Sequence, residues 1–287
     1  MKSKAVFLLI AMLVGPAALP ERIQAADPNE SPDAVAARQL AEQRLGVLRR
    51  AAASYEIRVG PNGATEAVLR PEPVLHWANQ VRYSLDGATF IWTAGGRPHA
   101  MASFYSSTDE KNFRLLDHEF QSLSPGPLVA QRNGARVWAP TEPGVAMKPF
   151  PDAPAPAKTA ALRLVQMRRL ANEFTAIGFP YDSRSEDQWQ LRLMPQPLYR
   201  YEVEEGELID GALFAFAHGT DPDVIVVLEA GAGPESKWSY GLGRMCGLPL
   251  EVRLRDELIW KVPLCSVSSR PDPSLLYLTF YRRPIER

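Results

Sequence analysis

Asp86-Gly87-Ala88-Thr89-Phe90-Ile91-Trp92 and, 124 positions later, Asp210-Gly211-Ala212-Leu213-Phe214-Ala215-Phe216 are the stretches that decide the reading of this chain. Phe90 and Trp92 alternate with Thr89 and Ile91, and Phe214 and Phe216 alternate likewise. Each stretch therefore reads as a strand with one aromatic face. Outward at the same offset, Leu69, Pro71 and Pro73 meet Leu193, Pro195 and Pro197, and Trp77 faces Tyr201. Gly95 and Pro98 meet Gly219 and Pro222, while Ala36, Ala37, Leu40 and Arg44 meet Ala160, Ala161, Leu164 and Arg168. A gap of two brings Pro127-Leu128 and Trp138 onto Pro249-Leu250 and Trp260. One register held over so long a span marks an internal duplication.

The expected fold class is α+β, with each of two homologous units a helix followed by an antiparallel β-meander. One helix is predicted from Pro32-Asp33 to about Ala53. The second covers Thr159 to Thr175, with Leu164, Met167, Ala171 and Phe174 on one face. Gln43 and Arg50 stand where Met167 and Phe174 do, so the first helix reads as less buried. Asn133-Gly134 between two short apolar runs is a hairpin turn, because a type I′ turn needs positive φ at both positions. Asp86-Gly87 and Asp210-Gly211 read as turns ahead of their strands.

The division that follows is residues 1–25 as a signal peptide, 26–140 as the first unit, 141–157 as a Pro-rich linker and 158–287 as the second unit. Lys2 and Lys4 form a basic start, Ala5 to Val14 an apolar run, and Ile23-Gln24-Ala25 a cleavage site, with Gly15-Pro16-Ala17 as the alternative. That run is too short to span a bilayer, so no stable membrane insertion is expected after cleavage. The expected location is periplasmic or secreted. Net charge is −1; removing Lys2, Lys4, Glu21 and Arg22, a net of +2, leaves −3. Without a basic patch, nucleic acid is excluded as a partner.

Gly95-Gly96-Arg97-Pro98, Glu119-Phe120 and Ser122-Leu123-Ser124 form one group of distinctive residues. Ala153 to Ala157 with Arg163, Gln166 and Met167, the block Leu193 to Tyr201, and Asp210 to Phe216 form the rest. Together, over most of the chain, they resemble a family of exported proteins abundant in planctomycete bacteria. The resemblance implies an exported bacterial protein and carries over no activity, cofactor or site residue.

No motif in the chain announces catalysis, and no cofactor is expected. His118 lies between Asp117 and Glu119, but neighbours in a strand point to opposite faces, so His118 shares a site with neither. If there is a ligand site, it should use positions where the two copies diverge. That selects Arg97 and His99, opposite Asp221 and Asp223, together with His218. His218, Asp221 and Asp223 stand close enough in sequence for a divalent cation, though Asp221-Pro222 is more simply a turn. The matched aromatics Trp77, Trp92, Trp138, Tyr201, Phe216 and Trp260 read as core. Cys246 and Cys265 are expected to form a disulfide. At an offset of 122 the Asn133-Gly134 turn maps onto Arg255-Asp256, which sets Leu254 against Glu257 and Cys246 against Cys265. The functional expectation is an exported non-catalytic binding or scaffold protein of unassigned ligand. The alternative is an exported hydrolase with its site in the groove between the units, favoured by a cleft holding a His and a carboxylate on facing strands.

Overall fold

Helix α1 (Pro32–Ala53) leads into β1 (Tyr55–Val59), β2 (Thr65–Leu69), β3 (Leu75–Asn79), β4 (Ser84–Ala94), β5 (Arg97–Thr108) and β6 (Arg114–Ser122), then the hairpin of β7 (Leu128–Arg132) and β8 (Ala135–Trp138). A short β9 (Lys148–Pro149) precedes α2 (Ala160–Ala171), β10 (Phe174–Gly178), β11 (Trp189–Leu193) and β12 (Tyr199–Tyr201). After these come β13 (Leu208–Ala217), β14 (Val224–Gly231), β15 (Trp238–Arg244), β16 (Leu250–Leu254), β17 (Glu257–Val262) and β18 (Tyr277–Pro284). This computed structural model describes residues 31–79, 84–108, 114–181, 187–203, 208–233, 235–265 and 271–284. The segment read as a signal peptide lies outside them. Two units are distinguished, Met1–Leu40 and Ala41–Arg287. The described part of the first is the opening of α1, and everything below concerns the second.

The expected α+β class is corrected. Strands account for 48% and helices for 17%, which is a mostly-β protein of two curled antiparallel sheets. Nor are the units meanders. One sheet runs β18, β6, β5, β4, β2, β1, β7, β8, with β3 beside β4. The chain leaves β6 and pairs β7 with β1 across the sheet, so the sheet curls instead of growing at one edge. The other sheet runs β9, β15, β14, β13, β11, β10, β16, β17, with β12 beside β13, which is the same order. The outermost strands cross over. β9 follows β8 in the chain but edges the second sheet on β15, and β18 follows β17 but edges the first on β6.

Three cores follow from strand periodicity. Phe90, Trp92, Ala100, Ala102, Phe104 and Phe120 face one way, into a core with Leu48 and Ala52 of α1. Phe214, Phe216, Val224 and Val226 face Met167 and Leu170 of α2. The alternate residues form a third core shared by the two sheets: Ile91, Met101 and Leu123 against Leu213, Ala215, Ile225, Val227 and Met245. The strap between the sheets packs with them, since Val145 joins the shared core and Phe150 the second. All the matched aromatics are buried except Trp260, which is half-buried.

Two local expectations change. The second helix stops at Ala171, capped by Asn172, because the alternating burial of Phe174, Ala176 and Gly178 belongs to a strand. Gly87 and Gly211 are not turn residues. They lie within β4 and β13, opposite Trp77 and Tyr201. A Cβ on Gly87 would meet the Trp77 ring at 2.5 Å, and one on Gly211 would meet Tyr201 as closely. Glycine is there so that an aromatic ring can lie on the strand.

Asp210, fully buried, bolts α2 to its sheet. It receives Arg163 Nε at 2.7 Å and Arg200 Nη2 at 2.6 Å. In the matching place on β4, Asp86 has His76 Nε2 at 2.7 Å. Asp210→Ala should lower stability by about 3–5 kcal/mol in urea unfolding, since it removes the buried carboxylate shared by two guanidinium groups and leaves that of Arg163 unpaired in a nearly dry setting. Asp86→Ala should cost less, because its partner His76 is exposed to water. Equal losses for the two variants would contradict this assignment.

Candidate ligand groove at the seam between the sheets

The five residues singled out from the sequence do not converge. Arg97 is bound to Glu229 by Nε at 2.7 Å and Nη2 at 3.0 Å, and the Tyr201 hydroxyl donates to the same carboxylate at 2.7 Å. Asp221 accepts from the Asn79 amide. Asp223 accepts the His218 backbone N–H at 2.7 Å, and the His218 ring stacks on Trp189 at 4.8 Å. These are turn caps and sheet-to-sheet clamps. Among the described residues no three His, Cys, Asp or Glu side chains are grouped to hold a metal. His99 lies apart in a 480 Å³ depression lined by Val59, Pro61, Ser124 and Pro127, with its Nδ1 3.2 Å from Ser124 Oγ.

No disulfide joins Cys246 and Cys265. The Arg255-Asp256 turn and the Leu254 to Glu257 pair stand where expected, but a bulge between Val252 and Arg253 slips the register by one. The Cys265 backbone N–H therefore meets the Gly247 carbonyl, at 2.8 Å, and not Cys246. Arg244, buried, fixes that geometry by donating to the carbonyls of Cys246, Leu248 and Pro263.

One pairing went unread in the sequence. Asp117 and Glu119 are two apart on β6 and share a face, while His118 points oppositely and bonds the Tyr55 hydroxyl at 2.6 Å. The two carboxylates border a narrow cavity of about 90 Å³ with Tyr105 and Tyr277. Glu119 accepts from Tyr277 and Asp117 from Ser107. Burial first, then the carboxylates, holds the Tyr105 and Tyr277 hydroxyls well above the ordinary tyrosine range, so both stay protonated donors. The cavity holds no more than a few waters.

The larger opening is a groove of about 530 Å³ at the seam. Residues 74–78 form one wall and 194–198 the other, with Arg192 and Thr220 completing it. It exists because the two seams differ. At one, the Tyr199 hydroxyl donates to the Gly96 carbonyl at 3.2 Å, and the Arg70 guanidinium covers the Tyr199 ring at 5.0 Å. At the other, the matching places hold Leu75 on β3 and Met194 just after β11. Both the ring and its cover are missing there, and space is left. The turns that pin the seams are alike: Thr220 Oγ1 donates to the Ala78 carbonyl at 2.6 Å, and a Cβ on Gly96 would meet the Glu202 carbonyl oxygen at 2.6 Å. Leu75 against Tyr199, and Arg70 against Met194, are divergent positions in the 124 offset. Divergence in size, rather than in charge, is the signal that finds the groove.

No family model, no curated protein and no solved structure matches the chain. Among the described residues no helix is long and apolar enough to cross a membrane.

His99 supplies a pH test. Burial, helped by Arg97, lowers its pKa from 6.5 to about 4. Between those values the unfolded chain binds a proton that the folded chain refuses, so stability falls as pH drops from about 6.5 towards 4, by at most about 3 kcal/mol. His99→Gln should flatten that part of the urea-midpoint curve against pH. An unchanged curve would show that His99 contributes nothing to it.

Proposed function

We propose that this is an exported, non-catalytic binding protein and that the seam groove is its ligand site. The observation that carries the reading is the unequal filling of two otherwise matched seams. A seam serving only to hold the sheets together has no reason to stay open where its counterpart is closed. The groove's volume suits a ligand, and its walls are mainly apolar: Leu75, Trp77, Met194 and Leu198 against few polar groups.

The hydrolase alternative rests on one feature, the His76 and Asp86 pair on neighbouring strands at the groove's edge. Two facts weigh against it. The matching pair, Arg200 and Asp210, is a clamp whose guanidinium cannot act as a base. The one hydroxyl in the groove's lining, Thr220, is already donated to the Ala78 carbonyl.

The test copies the closed seam onto the open one. Leu75→Tyr with Met194→Arg should weaken saturable binding of 8-anilinonaphthalene-1-sulfonate, an apolar anion, by about tenfold or more. The reverse pair, Tyr199→Leu with Arg70→Met, should create a second dye site. Dye binding indifferent to both pairs, in variants that still unfold cooperatively, would overturn the reading.

A further inference from the structure

The groove also indicates what kind of ligand it takes, granting the binding role above. Alternate residues of a strand point to opposite faces, so an opening that touches residues 74–78 in succession cannot lie over either face. It runs along the strand's edge. β3 pairs with β4 on its other edge only, and no strand among the described residues pairs with it on the groove side. Thr220 Oγ1 meets the Ala78 carbonyl at the end of the strand. Backbone groups at an open edge of this kind template a further strand. The facing wall does not supply one, since Pro195 and Pro197 lack N–H donors.

Charge narrows the choice. The residues lining the groove include no carboxylate. Arg192 is exposed there, and its guanidinium makes a weak 3.5 Å approach to the Gly219 carbonyl. A cation at the rim of an apolar trough, beside an unpaired strand edge, fits a backbone with an anionic group. We propose that the groove binds an extended peptide as a strand added to β3, with apolar side chains against Leu75, Met194 and Leu198 and a carboxylate facing Arg192. That carboxylate comes from an acidic side chain or from a C-terminus. The strand repeat of about 3.3 Å per residue gives the five wall residues room for a peptide of similar length.

The experiment pans a phage-displayed library of random octapeptides, and a library with free C-termini, against the full chain. The Leu75→Tyr, Met194→Arg protein serves for counter-selection. Enriched peptides should alternate apolar and polar residues and carry Asp, Glu or an obligatory free C-terminus. By calorimetry, N-methylation of the pairing amides should weaken them by about tenfold or more, and Arg192→Gln by a smaller factor. Hydrogen exchange at residues 75–77 should slow when peptide binds. N-methylated peptides that bind equally well would overturn strand addition. No enrichment while the dye still binds would overturn the peptide class and leave the groove as a site for small apolar anions. Loss of both dye binding and enrichment would remove the binding role as well.

Discussion

The central strands are buried on both faces, and the rest of the structure depends on that constraint. β13 and β14 are buried along almost their whole length, with one set of side chains in the core beneath α2 and the other in the core shared between the sheets. β4 and β5 are placed in the same way. Each fully buried aliphatic side chain contributes about 1.5–3 kcal/mol. The shared layer therefore outweighs the Arg97 and Glu229 pair at its border, whose net contribution is reduced by the cost of drying two charges. The ion pair sets how the sheets register; the apolar layer holds them together.

Crossed edge strands reinforce this arrangement. A curled sheet leaves two edges, and an open edge invites unwanted pairing. β18 covers the outer edge of β6, and β9 that of β15, each arriving from the other half of the chain. Loosening the sheets would expose the shared core and uncover an edge of each. The segment between the sheets is correspondingly no loose spacer. Gln166 holds its end through the Ala155 carbonyl and the Ala157 N–H, and Arg163 holds the carbonyls of Ala157 and Lys158. Arg163 and Gln166 thus fasten this strap to α2.

Against so tightly matched a frame, the one seam left open stands out. A Tyr hydroxyl on a glycine carbonyl and an Arg over the Tyr ring close one side. A leucine and a methionine at the matching places leave a trough on the other. Because one seam is pinned by the Thr220 hydroxyl on the Ala78 carbonyl and the other by the close approach of Gly96 to the Glu202 carbonyl, the sheets cannot shift together to fill the space. Side-chain size alone therefore decides whether a seam is sealed or becomes a groove.

The sequence by itself determined the periodic facts. These are the alternation of Phe90 and Trp92 and of Phe214 and Phe216, the type I′ turn at Asn133-Gly134, the length of the first helix, and the burial of the aromatic set apart from Trp260. Each depends on residues a few positions apart. Period also misled where two readings compete. Phe174 fits the face of the preceding helix and equally the first place of a strand. Gly87 suits a turn as well as it suits a ring lying on a strand. What only the tertiary structure decided are matters between residues far apart. β7 returns to β1, the edge strands cross over, and one bulge moves Cys265 off Cys246. A bulge leaves little trace in composition or spacing, because its extra residue need be of no special type. The groove belongs to the same class. Leu75 and Met194 are 119 positions apart and unexceptional alone, and they define a site only because the fold brings β3 and the segment after β11 together.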